Sequence, residues 1–186
     1  TCPSAALDAQ AMLKMMEMQA VLPHIPPSFD REMREILDRS EGLAGFPVEP
    51  LIDILLEICG NRVEEPAWDA FYEWLIQFAG RREGEIAQAR RHLDRAIDLM
   101  TARRTCDALV LAGKTLVPFY REEAHEELLD SLYVCAAAYE QLGLLWAARG
   151  TLLNATSHMA NRFHNDNNVE RLGSTHFKPL KWLDLR

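Results

Sequence analysis

Prolines divide this chain into stretches that can and cannot be helical. Of nine prolines in 186 residues, only Pro118 lies between Pro66 and Pro179. Glycines are equally few, at nine. Long stretches without a breaker, carrying apolar residues at three- and four-residue steps, favour amphipathic helices. "EGEIAQARRHLDRAIDLM" shows this most clearly, with Ile86, Ala89, Leu93, Ala96, Ile97 and Met100 at helical spacing. No segment alternates with a period of two between turn residues. The expected fold class is therefore all-α, built from antiparallel helical hairpins stacked as a short irregular superhelix or bundle.

Read along the chain, the breakers set an organisation. "SAALDAQAMLKMMEMQAVL" is a first helix, with Ser4 as cap and Pro23 as stop. It holds Met12, Met15, Met16 and Met18, and ordinary core packing accounts for such a face better than an adaptable binding surface does. Residues 1–22 form this methionine-rich helix, and the proline-rich stretch 23–29 reads as an extended linker. Residues 30–164 read as one helical domain, and 165–186 as a loop with a partial C-terminal helix. The domain begins with a short helix from Asp30 to about Glu41. "VEPLIDILLEICGN" follows as a central helix closed by Gly60. In "EPAWDAFYEWLIQFAG", Pro66 suits a helix first turn, and Trp68, Phe71, Tyr72, Leu75, Ile76 and Phe78 form a broad aromatic face. Three more helices follow, in "TCDALVLAGKTLVPFY", "REEAHEELLDSLYVCAAAYEQLG" and "LLWAARGTLLNATSHMANRF", with Pro118 kinking or ending the first of them.

Composition narrows the function classes. The chain is 48% hydrophobic and 26% charged, ordinary for a globular protein able to bury a core without metal or disulfides. Its net charge is -8. Residues 1–80 carry 14 acids and 5 bases, whereas residues 81–186 carry 14 acids and 15 bases. An acidic chain disfavours nucleic acid and anionic membranes as partners. Cys2, Cys59, Cys106 and Cys135 make no CxxC pair and read as small hydrophobes of a reducing, cytoplasmic compartment. No apolar run approaches the ~20 residues of a membrane span. The chain starts at Thr1 rather than methionine and is expected to belong to a larger protein.

Catalytic motifs are missing. There is no GxxxxGK[ST], no GxGxxG and no GxSxG. "AHEELLD" is not HExxH, because Leu129 stands where the second histidine must be. His158 and His164 are six residues apart, off a shared helical face, so with Asp166 they read as a polar helix end rather than a metal site. No cofactor and no metal is expected, and the chain reads as a non-enzyme.

Two stretches share a spacing. Gly84, Ala89, Leu93 and Ala96 are separated as Gly143, Ala148, Leu152 and Ala155 are. Glycine turns the chain tightly between antiparallel helices, alanines permit close approach, and leucine fills the gap. The later pair of helices resembles a tetratricopeptide repeat, a helix–turn–helix unit of 34 residues. Tyr139, Ala148 and Ala155 match the family's tyrosine, alanine and last small residue. Leu132 stands for its tryptophan, Cys135 and Ala136 for its leucine–glycine pair, Leu152 for its aromatic, and Ala160 for its closing proline. The earlier pair matches only in its second helix, since Glu73, Ile76, Gln77 and Gly80 occupy the signature places of the first. The likeness covers residues 66–160. The two matches lie 59 residues apart where two regular repeats need 68, so a regular array is excluded, and one extra helix between the pairs, or shortened units, would fit.

The resemblance implies a surface that holds a peptide or another domain, of the same chain or of a separate protein, and hence an interaction or regulatory scaffold. Tyr72 and Trp74, with Arg90, Arg91 and Arg95 from the run of seven arginines between Arg81 and Arg104, are the expected exposed contacts. The other class such an architecture admits is a helical sensor with a small ligand between helices.

Overall fold

The computed structural model describes residues 27–40, 48–60 and 62–165. The methionine-rich helix of residues 1–22, most of the linker and nearly all of the 165–186 segment lie outside the described residues. Among the described residues there are seven α-helices, one 3-10 turn and no strand. They are α1 (Pro27–Ser40), α2 (Val48–Gly60), the 3-10 turn Pro66–Trp68, α3 (Asp69–Glu83), α4 (Glu85–Thr101), α5 (Thr105–Arg121), α6 (His125–Gln141) and α7 (Leu145–Asn165). None is long and apolar enough to cross a membrane. The all-α expectation holds. Three boundaries differ from the sequence reading. Pro27 opens α1 inside the expected linker, because a helix's first turn needs no N–H from that residue. Pro118 sits in the last turn of α5, which continues to Arg121. The expected helix from Arg121 is broken at residues 122–124 and restarts at His125.

The chain packs as two compact units divided at Ala79 and Gly80. In the first, α1 contributes Phe29, Met33, Ile36 and Leu37 at helical steps, and α2 contributes Val48, Leu51, Ile52, Leu55 and Cys59. Trp68, Phe71, Tyr72, Leu75, Ile76, Phe78 and Ala79 complete this core. Its aromatic rings form a chain: Phe29 meets Phe71 edge-on at 5.9 Å, Phe71 stacks on Trp74 at 6.0 Å, and Trp74 lies 5.4 Å from Phe78. Trp68 donates its indole N–H to Glu65 at 3.2 Å, so the buried ring leaves no polar atom unsatisfied.

In the second unit the helices begin at Glu85, Thr105, His125 and Leu145, twenty residues apart each time. The three turns are also alike. Residue 104 donates its N–H to the carbonyl of 99, 124 to 119, and 144 to 139. The residue before each is left-handed, at φ 60° for Arg103, 56° for Glu123 and 76° for Gly143. This is a Schellman-type helix stop, a conformation glycine adopts freely and other residues adopt at a cost. Only one of the three positions is glycine. Replacing Glu123 with glycine is therefore expected to raise stability by about 0.5–1 kcal/mol, and Gly143→Ala to lower it by about 1 kcal/mol, in urea titrations. Equal midpoints for wild type and Glu123→Gly would refute the strain.

Within the second unit, α4 to α7 pack each on the next, and α4 also packs on α6. The two-helix step is thus forty residues, against the 34 of a tetratricopeptide unit. Burial follows that step. Ala108, Ala112, Thr115 and Phe119 are the buried residues of α5. Ala148, Leu152, Ala155 and Met159, forty positions on, are buried in α7. The residues with matching glycine–alanine–leucine–alanine spacing fall on α4 and α7, three helices apart, with α5 as the extra helix between the two pairs. Gly84 and Gly143 both have positive φ, as the turn reading requires. Buried alanines bring the helices together, and one polar contact crosses the core. The Thr115 and Ser131 hydroxyls lie 2.7 Å apart, and each is also 2.8 Å from a carbonyl of its own helix, Ala112 or Glu127. One hydroxyl donates across and the other to its own helix, so both are satisfied.

Candidate interaction surface

The five residues expected as contacts are mostly committed elsewhere. Tyr72 and Trp74 belong to the first unit, the three arginines to the second. Tyr72 is only 6% exposed, because the face of α3 that carries it is the core face. Trp74 is half-buried beneath the Arg34 guanidinium, which sits 4.6 Å above its ring. Arg95 is 2% exposed and lies beside Asp98. The expected exposure of Tyr72 and Arg95 is therefore corrected: both are internal.

Arg90 and Arg91 reach the surface but are paired. Arg90 donates from Nε at 2.9 Å, and from its Nη2, to the Glu127 carboxylate, joining α4 to α6. Arg91 grips Glu83 with two bonds, at 2.6 and 3.0 Å. Arg121 reaches Glu85 at 3.1 Å, and Arg104 pairs with Asp107. These partners neutralise the field that the arginine run suggests. The carboxylates respond accordingly. Burial pushes Glu127 upward, but its own backbone N–H and the Arg90 guanidinium outweigh that and leave it below 4.5. Burial raises Asp94 and Asp98 above 3.8, opposed by Arg91 and Arg95 respectively.

Among the described residues, no group of three or more His, Cys, Asp or Glu could hold a metal ion. His158 makes an edge-on contact with Tyr120 at 6.0 Å, while the side chain of His164 lies outside the described residues. Burial pushes the Cys135 thiol up to about 11, which keeps it protonated and unreactive near neutrality.

One exposed apolar feature sits on α7, and α5 also exposes Val110, Val117 and Tyr120. Trp146 is 84% exposed and Leu153 is 54% exposed. Leu142 and Leu144 in the preceding turn, and Leu145 at the start of the helix, are exposed beside them. At 3.6 residues per turn, Trp146, Gly150, Leu153, Ser157 and Ala160 share one side of α7. Ala148, Leu152, Ala155 and Met159 share the other and are buried. The helix thus carries an outward apolar stripe as well as its core stripe. Arg149 stands on the outward side, with no acidic partner among the described residues. Sequence patterning alone could have raised this stripe, since a helix apolar on both sides must be covered on both. The same stretch was read only for the alanines and leucine that face inward.

No protein-family model matches the chain, and no curated protein or solved structure matches it. The reading of function rests on the chain's own geometry.

Proposed function

We propose that this protein is a non-enzymatic interaction module whose docking surface is the outward side of α7 and the α6–α7 turn. The observation that carries the reading is Trp146, a large apolar ring 84% exposed among four exposed leucines, Leu142, Leu144, Leu145 and Leu153. An exposed patch of this kind, anchored by tryptophan, suits a protein partner that buries it. An amphipathic helix laid along α7 would insert apolar side chains beside Trp146 and Leu153. The likeness to tetratricopeptide units agrees with a helical stack that displays a surface. The proposal moves that surface away from the arginines of α4, whose partners are already internal. Photo-crosslinking from position 146, in the full chain under native conditions, is expected to give discrete protein adducts. A preparation that gives none there would remove the reading.

A further inference from the structure

The stripe on α7 has a counterpart on α5. The two helices expose the same positions forty residues apart, at 106, 110, 113, 117 and 120 and at 146, 150, 153, 157 and 160. Each packs on α6 across a tight turn, so the two run in the same direction, and equivalent positions lie on the same outer surface of the stack. The Tyr120 ring meets His158 edge-on at 6.0 Å, and His158 is the equivalent of Pro118, so the helices stand level. At each pair of positions one residue is apolar and of valine size or more, and the other is small. Trp146, Val110, Leu153, Val117 and Tyr120 take the large places, opposite Cys106, Gly150, Gly113, Ser157 and Ala160. The five large side chains are 54% to 84% exposed. They zigzag between two ridges at steps of four and three residues in turn, over about 21 Å at 1.5 Å per residue. An amphipathic helix carries its own apolar residues at those steps.

Charge is divided among the helices of this unit. Counting Lys and Arg as bases, α4 and α6 hold seven acids and three bases. In contrast, α5 and α7 hold four bases and a single acid, Asp107, which pairs with Arg104. The next acids are Glu122 and Glu123, in the turn beyond Tyr120. Lys114 and Arg149 are exposed, one on each helix, between the ends of the zigzag. In a chain of net charge -8, this is a surface where an acidic segment meets apolar anchors without facing carboxylates. Resting on the reading of α7 as a docking surface, we infer that the occupant is an acidic amphipathic helix of about four turns, laid along α5 and α7 together. Its apolar stripe sits on the five anchors, and its carboxylates stand beside Lys114 and Arg149. An anionic bilayer also meets basic and apolar groups together, but it offers no stepped partner to the zigzag, and the net charge of the chain opposes it.

Two synthetic peptides of about five helical turns serve as probes. Both carry leucines at steps of four and three, one with glutamates between them and the other with lysines. Fluorescence anisotropy with the full chain is expected to show the glutamate peptide bound about tenfold or more tightly than the lysine peptide. Lys114→Glu together with Arg149→Glu should reverse that order, which an uncharged apolar patch would not do. Val117→Asp on α5 and Leu153→Asp on α7 should each weaken the glutamate peptide about tenfold or more. Their melting temperatures should stay near wild type, because both side chains are exposed. Equal binding of the two peptides overturns the inference, as does no binding of either at about 1 mM. So does uptake of phosphatidylserine vesicles by a chain that takes neither peptide, which would make the surface a membrane contact. A loss with Leu153→Asp and none with Val117→Asp overturns the two-helix site and leaves α7 as the docking surface. Protein adducts from position 146 in a chain indifferent to peptide charge overturn the acidic helix alone and leave the interaction module standing.

Discussion

Phe71→Ala is expected to destabilise the first unit by about 3–5 kcal/mol, the usual cost of emptying a buried aromatic site. Phe71 is 1% exposed and occupies the middle of the ring chain, edge-on to Phe29 and stacked on Trp74. Removing it leaves a cavity lined by rings that cannot collapse together, because α1 and α3 hold them from opposite backbones. It also strips the Arg34 guanidinium of one of the two rings it covers. The loss should appear in amide exchange across residues 27–79, where every buried member of that core lies. A substitution that costs under about 1 kcal/mol would mean that the ring chain is not the core of this unit.

Phe119→Ala should cost the second unit a similar amount, about 3–5 kcal/mol. Phe119 is fully buried and belongs to the core cluster that also holds Ala89, Leu93, Leu128, Leu129, Leu132, Ala155 and Met159. That cluster draws on α4, α5, α6 and α7. The residue forty positions on is Met159, flexible and lined on one side by the Tyr133 hydroxyl at 3.5 Å. Met159→Ala should therefore cost less than Phe119→Ala. The comparison is read from urea midpoints of the two variants, and the reverse order would contradict the forty-residue equivalence as a packing rule.

Helices were legible in the sequence because breakers and apolar spacing are local. Pro66, Gly60 and Gly84 mark ends that the structure has. The breaks near 102–104 and 121 were legible, but their left-handed turn geometry was not, since Arg103 and Glu123 occupy positions that sequence reading assigns to glycine. The twenty-residue register stayed hidden for a related reason. Equivalent places hold unlike residues: Ala112 and Leu152, Thr115 and Ala155, Arg95 and Cys135. What repeats is burial and turn geometry rather than residue identity. The arginine run misled at Arg90, whose partner Glu127 lies 37 residues away in sequence. Local patterning shows that α7 is apolar on two sides, but which side meets α6, and hence the exposure of Trp146, depends on the packing.

The central claim is that the outward side of α7, rather than the arginine-bearing side of α4, meets the partner. The direct measurement compares photo-crosslinkers placed singly at Trp146, at Leu153 and at the exposed Asp94 of α4. The account predicts discrete adducts from positions 146 and 153 and none from 94. Adducts from 94 with none from 146 or 153 would contradict it.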